Sequence, residues 1–88
     1  MQTDQRWRPD IDALEFKPSG SAQLCMVHRL AFRTLIGQRP SEEECLTWFA
    51  AHRGAFEAAA SVKIARGVAG NFHLTSRDVF GQLETFRE

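Results

Sequence analysis

The side chains that could do chemistry in this sequence are two cysteines, three histidines and several arginines distributed along the chain. Cys25 and His28 have the short spacing of a metal chelate, and Cys45 with His52 could complete a four-ligand zinc set. However, Cys25 falls on a predicted strand, whereas Cys45 and His52 lie nearly two turns apart on a predicted helix. We therefore expect no metal and no cofactor, and we predict that both cysteines are small core residues that remain thiols.

A cysteine beside a histidine is also the only candidate for nucleophilic catalysis, which would need an orienting group and an oxyanion site as well. The sequence contains no G-x-S-x-G, phosphate-loop or dinucleotide-binding motif. A chain of 88 residues also has little room for a ligand pocket. These observations predict a protein that is not an enzyme. A thiol enzyme, the alternative, would require a pocket with a titrating cysteine.

Arg53 is the most unusual of the arginines because it interrupts a row of apolar side chains. A helix through this segment would align Leu46, Phe49, Phe56, Ala60 and Ile64. Arg53 falls in the middle of that row, where an unpaired guanidinium would be costly. Its candidate partners are Glu57, one turn on, and Glu15 or Asp78 on other elements. We predict that Arg53 is a bracket that holds the helix to the sheet.

The residues singled out for interaction are Trp48, His52, Arg53 and Arg66. An alternative role for Arg53 is an anion-binding spot formed with His52, to which Arg66 could be added. Trp48 would lie about 110° around the helix from the apolar row, beside a strip of alanines. That combination suits close contact with another helix, since tryptophan is a frequent anchor at interfaces. The alternative is that Trp48 packs on the first helix or on the start of the chain.

The charge balance gives no sign of a polyanionic partner, since eleven basic and eleven acidic residues sum to zero. We therefore predict a non-enzymatic accessory or protein-protein interaction module. The alternative is a nucleic-acid-associated regulator with a basic edge at Arg29, Arg33 and Arg39, because Arg29 and Arg33 repel each other unless an anion lies between them. No apolar run is long enough to cross a membrane, and the polar start lacks a secretion signal, so we expect a cytoplasmic protein.

The first half of the chain predicts a hairpin and a short helix. Residues 11–17 alternate in hydropathy, residues 22–27 are apolar, and the turn sequence KPSG stands between them. Residues 29–36 carry apolar side chains at helical spacing, and Gly37 is a natural stop. Residues 1–10 show no period and are expected to be flexible.

The second half predicts a long helix, a short strand and a last helix. Ser41 and Glu44 form a capping box, from which a helix could run to Arg66, about 39 Å at 1.5 Å per residue. A kink or break at Gly54 is the alternative, because glycine is unfavourable in a helix interior. A strand at 72–75 and a second capping box precede the last helix. The apolar face of that helix would comprise Val79, Phe80, Leu83 and Phe86.

Together these elements predict a two-layer α+β fold. A small antiparallel sheet, made of the N-terminal hairpin and a short third strand, would pack on a long central helix and two shorter helices. This single domain would occupy residues 11–88. Because a chain of this size has a thin core, the protein is also a candidate homodimer.

Several short motifs follow one another along the chain. In sequence they are Cys25 with Val27, HRLAF, His52 with Arg53, Ala58 to Ala60, Arg66 with Gly67, and Leu-Thr-Ser at 74–76. In this order they resemble a family of small bacterial proteins, the domain of unknown function family fourteen-eighty-eight, over about residues 13–79. The chain departs from the family at His28, where a capping serine is usual, and at Ile64, where an aromatic residue is common. The resemblance implies a hairpin followed by a long helix, and it implies no activity.

Overall fold

The computed structural model describes residues 5–83, and within this range it shows an α+β fold with four strands and four helices. The predicted α+β class is therefore confirmed. In chain order the elements are β1 (Arg6–Arg8), β2 (Ala13–Phe16), β3 (Cys25–His28), α1 (Arg29–Ile36), α2 (Glu42–Ala51), α3 (Arg53–Ala65), β4 (Phe72–Leu74) and α4 (Ser76–Leu83). None of the helices in the described range has the length and apolar character needed to span a bilayer.

The four strands form one mixed sheet in the order β1-β2-β3-β4. β2 pairs antiparallel with both β1 and β3, whereas β4 pairs parallel with β3. The predicted antiparallel sheet is wrong for this last pair. Three helices connect β3 to β4, and a connection of that length lets the chain return in the same strand direction.

The predicted hairpin is present as β2 and β3, with Phe16 opposite Cys25. Its turn is closed by the Ser21 N–H, which donates to the Pro18 carbonyl at 3.2 Å. Gly20 adopts a φ of +75°, the left-handed conformation that favours glycine. β3 begins later than predicted, because the residues before it form hydrogen bonds with the loop that precedes β4.

Sequence analysis missed β1, which lies within the segment expected to be flexible. The register of β1 and β2 places Arg6 opposite Glu15. Glu15 is only 6% exposed, and its carboxylate accepts hydrogen bonds from Arg6 Nε at 3.1 Å and Arg8 Nη1 at 2.6 Å. Arg8 also donates two hydrogen bonds to Asp10, at 2.9 and 2.6 Å. A buried carboxylate shared by two guanidinium groups therefore fixes β1 at the sheet edge.

One set of alternate residues on β2, β3 and β4 enters the core, where it meets buried side chains from all four helices. The largest of the fully buried side chains in this cluster are Phe16, Phe32, Phe49, Phe56, Leu14, Leu74, Val27 and Val79. The other set on the strands includes Ala13, Glu15 and Met26, which are buried outside the cluster. Four phenylalanine rings thus supply much of the volume of a small core.

The predicted long helix is wrong, because the chain forms two helices with His52 between them. His52 has φ −121° and ψ 27°, outside the helical region, and it ends α2. The alternative prediction, that the helix is interrupted, is therefore confirmed. Its position lies two residues before Gly54, the residue on which that prediction was based.

The break at His52 lies between two residues of the aromatic core. Along a straight helix Phe49 and Phe56 would lie about 10.5 Å apart, at 1.5 Å per residue. Their ring centroids are only 4.9 Å apart, and the Phe49 ring lies 4.9 Å from that of Phe16. Phe49 and Phe56 therefore contact each other across the break at His52.

Both predicted capping boxes are present. The Ser41 hydroxyl accepts from the Glu44 N–H at 3.1 Å, and the Glu44 carboxylate accepts from the Ser41 N–H at 2.8 Å. Thr75 and Asp78 form the same pair of bonds before α4, at 3.2 and 2.9 Å. These local signals therefore place the starts of α2 and α4 correctly.

The predicted apolar face of α4 is only partly buried. Val79 is fully buried and Leu83 is half-buried, whereas Phe80 is 45% exposed. Phe80 is turned about 100° from Val79 around the helix, which takes it away from the core. Phe86, the fourth residue of that face, lies outside the described residues.

Glu15 allows a direct test of how β1 is held. Burial alone would raise the pKa of Glu15, but hydrogen bonds from Arg8 and Arg6 outweigh it and leave the pKa below its ordinary value. A lowered carboxylate pKa stabilises the fold above the ordinary value of about 4.3, and this contribution is lost as the pH falls through the lowered value. We predict that urea midpoints measured from pH 7 to 2 fall more steeply below about pH 4 in the wild type than in Glu15→Gln. Glu42→Gln, which changes an exposed carboxylate, is the control. If the urea midpoints of the wild type and Glu15→Gln fell equally steeply below about pH 4, this role of Glu15 would be contradicted.

Candidate functional site

Trp48 is the best-defined surface side chain among the interaction candidates. The half-buried indole contacts three rings: His52 stacks on it with centroids 4.0 Å apart, and Phe32 and Phe56 meet it edge-on at 6.4 and 5.8 Å. The contact with Phe32 joins α2 to α1, as the packing alternative predicts. The indole is therefore fixed in orientation while part of its surface remains accessible.

An open groove of about 470 Å³ lies beside Trp48, between the end of α1 and α2. It is lined by Ile36, Glu43, Glu44, Thr47, Trp48 and Ala51. We call this feature the Trp48 groove. Ile36, Trp48 and Ala51 give it an apolar floor, and the glutamates give it an acidic rim. Glu44 is engaged in the capping box, whereas the exposed Glu43 forms no ion pair with any residue in the range 5–83.

His52 links the indole to the helix break. Its backbone N–H donates to the carbonyls of Trp48 and Phe49, both at 3.1 Å, and its Nδ1 lies 2.9 Å from the Trp48 carbonyl oxygen. The backbone bond to Trp48 is the last i→i−4 bond of α2, and the bond to Phe49 is an i→i−3 bond of the kind that tightens a last helical turn. The imidazole is thereby held flat against the indole, so the groove and the break share one residue.

Arg53 forms bonds that extend from the start of α3 to two other parts of the chain. Its Nε donates to the Glu57 carboxylate at 3.2 Å, and its Nη1 donates to Gln5 Oε1, just before β1, at 3.0 Å. The Glu57 carboxylate in turn accepts from the Ser19 N–H in the hairpin turn at 2.9 Å. The guanidinium also lies 5.3 Å from the centroid of the Phe49 ring. This geometry agrees with the bracket hypothesis.

Of the three partners predicted for Arg53, the structure supports only Glu57. Glu15 is held by the arginines of β1, as described above, and Asp78 pairs with Lys63 at 3.2 Å. Both carboxylates therefore have other cationic partners. Sequence analysis did not identify Gln5, because no local pattern points to a residue 48 positions away.

The alternative anion-binding spot is only partly assembled. His52 and Arg53 are adjacent, but Arg66 is the C-cap of α3. At 1.5 Å per residue it lies about 20 Å along the helix from Arg53. The Arg53 guanidinium is also engaged by a carboxylate. Arg66 therefore belongs to a different part of the surface.

The basic edge proposed at Arg29, Arg33 and Arg39 contains one arginine with a structural role. Arg29 pairs with Asp12 at 2.9 Å, donates to the Pro40 carbonyl at 2.6 Å, and lies 4.9 Å above the Trp7 ring. The hydrogen bond from Arg29 lowers the pKa of Asp12. Arg29 thus ties the hairpin to the loop between α1 and α2, which leaves two exposed arginines at that edge.

The two cysteines are fully buried in the core, in agreement with their predicted packing role. Burial raises the pKa of Cys25 to about 12 and that of Cys45 to about 11. Because the thiolate is the reactive form, neither thiol is poised for nucleophilic attack at neutral pH. Within residues 5–83, no three His, Cys, Asp or Glu side chains are grouped so that they could hold a metal ion.

Sequence analysis found Trp48 but missed the groove beside it. The sequence placed Ile36 in the first helix but did not indicate which residues it contacts. Ala51 stands beside another alanine, and nothing in its local sequence marks it as a groove residue. The loop between α1 and α2 brings these residues together, and the Pro40 carbonyl in that loop accepts a hydrogen bond from Arg29. A contact of that kind leaves no mark on local hydropathy.

Comparison with known proteins finds no match to this chain among protein-family models, curated proteins or solved structures.

The bracket role of Arg53 predicts a measurable loss of stability. Arg53→Ala removes a partly exposed ion pair, the bond to Gln5 and the contact with Phe49, so we expect the free energy of unfolding to fall by about 1–2 kcal/mol. Chemical denaturation measures this directly. Arg39→Ala, at an exposed loop position, should stay within about 0.5 kcal/mol of the wild type. Equal stabilities for the two variants would rule out the bracket.

Proposed function

We propose that this protein is a non-enzymatic interaction module and that the Trp48 groove is its binding surface. The observation that carries the proposal is the indole itself, which is accessible and yet held by three neighbouring rings. Tryptophan is among the residue types that contribute most to binding at protein interfaces. An anchor that is already ordered loses little side-chain entropy when a partner binds.

The chemistry of the groove specifies the kind of partner. Its apolar floor suits an aliphatic side chain, and its acidic rim favours a basic residue one turn away from that side chain. Glu43 and Glu44 line the groove and are both exposed in the first turn of α2, so its rim carries acidic side chains. The expected occupant is therefore a helical segment with an aliphatic residue and an adjacent arginine or lysine.

The chain itself displays such a segment on α1. Leu30 is 71% exposed, more than any other large apolar side chain within residues 5–83. Arg33 lies on the same side of α1, three residues on, and it forms no ion pair within the described part of the chain. The occupant that we propose is therefore a second copy, with Leu30 and Arg33 of each subunit placed in the Trp48 groove of the other. In a two-fold dimer, the contact between α1 of one subunit and the Trp48 groove of the other would be formed twice.

Three further predictions accompany this proposal. We place the helices on one face of the sheet in two layers, and we place the protein in the cytoplasm. We also assign the chain to the domain of unknown function family fourteen-eighty-eight. In support of the assignment, the strand motif at Cys25 leads directly into α1, Arg66 and Gly67 end α3, and Ser76 begins α4.

Light scattering coupled to size exclusion tests self-association through the groove. We expect the wild type to form a dimer as its concentration rises. Ala51→Arg should give a monomer, since it fills the groove with a bulky cation that repels Arg33 of the second copy. Ala50→Arg is the matched control, because Ala50 is exposed on the same helix but does not line the groove, and it should leave the dimer intact.

A charge exchange tests the pairing of the two surfaces. Glu43→Lys and Arg33→Glu should each weaken the dimer, and the double variant should restore it, because the attraction is re-formed with reversed signs. A wild type that stays monomeric at every concentration would contradict docking of a second copy. Identical behaviour of Ala51→Arg and Ala50→Arg would exclude the groove as the surface.

A further inference from the structure

A second cleft, independent of the Trp48 groove, lies between α3 and α4. It has a volume of about 280 Å³ and is lined by Ala59, Val62, Arg66, Arg77, Asp78 and Gln82. We call it the Arg66–Arg77 cleft. Arg66 caps the end of α3, and Arg77 lies in the first turn of α4. Two arginines at the ends of separate helices thus line one concave surface.

Arg66 and Arg77 differ from Arg29 and Arg53 in their ion pairing. Both are exposed, and neither forms an ion pair with any side chain in residues 5–83, whereas Arg29 and Arg53 are paired with carboxylates. Arg77 also lies where the helix dipole is positive, a position that disfavours a cation unless an anion is close. Within residues 5–83, these two guanidinium groups therefore have no carboxylate partner.

The single carboxylate of the cleft does not supply that counter-charge. Asp78 Oδ2 accepts from the Thr75 N–H at 2.9 Å and from the Thr75 hydroxyl at 3.0 Å, and it pairs with Lys63 at 3.2 Å. Lys63 thus offsets the charge of Asp78. The remaining polar groups at the cleft are the two guanidinium groups and the Gln82 amide, all of which can donate hydrogen bonds to an anion.

We propose that the Arg66–Arg77 cleft binds a phosphate group. Guanidinium groups match the oxygens of a phosphate with paired hydrogen bonds, and two of them balance a doubly charged anion. The cleft is smaller than the roughly 300–1,000 Å³ of pockets that enclose drug-sized ligands, so it takes free phosphate or the phosphoryl end of a larger molecule. Val62 and Ala59 offer apolar surface to the remainder of such a molecule.

Isothermal titration with inorganic phosphate, at constant ionic strength set by sodium chloride, tests the site. We expect saturable binding with one site per chain. Arg66→Gln and Arg77→Gln should each raise the Kd by about tenfold or more, the loss expected for one charge-assisted pair. Arg39→Gln, which removes an exposed arginine outside the cleft, should leave the Kd within about twofold of the wild type.

A second titration with adenosine monophosphate separates the two sources of phosphate. Tighter binding than that of inorganic phosphate assigns the cleft to the phosphoryl end of a larger molecule, and equal binding assigns it to the free anion. Ala51→Arg should bind phosphate as the wild type does, so the outcome does not depend on the Trp48 groove. The absence of saturable binding, or an equal effect of Arg39→Gln and Arg77→Gln, would overturn the proposal.

Discussion

The contact between Phe49 and Phe56 is the constraint on which the rest of this structure depends. Phe49 and Phe56 are seven positions apart, and their ring centroids lie 4.9 Å apart across His52, where the chain leaves helical geometry. The bend lets the two rings join Phe16 and Phe32 in one aromatic cluster. A domain of 88 residues buries little surface, and large rings supply the apolar area that it needs.

The same bend determines what the surface presents. His52 stacks on Trp48 and closes α2, so the departure from helical backbone also orients the indole beside the proposed groove. Arg53, the first residue of α3, then lies over Phe49 and reaches Gln5 before β1. Core packing, the edge strand and the candidate binding surface are thus coupled through two consecutive residues. A substitution at either position is expected to affect both stability and recognition.

The features that sequence analysis predicted correctly are those with short-range causes. The capping box at Ser41, the turn at Gly20 and the ion pair of Arg53 with Glu57 each join residues within a few positions. β1 was missed because its anchor, Glu15, lies on another strand, and the parallel pairing of β4 depends on three intervening helices. The bend was misplaced because the same apolar row fits a straight helix and a broken one. Glycine propensity pointed to Gly54, whereas the break lies at His52, between the two rings that are in contact.

Nuclear Overhauser effects between phenylalanine rings test the bend most directly. In a sample labelled selectively at phenylalanine and assigned by Phe49→Leu and Phe56→Leu, we predict strong effects between the rings of these two residues and between Phe49 and Phe16. We also predict a gap at His52 in the sequential contacts that mark helical backbone. An unbroken series of those contacts from Glu42 to Ala65, with no effect between the Phe49 and Phe56 rings, would contradict the account.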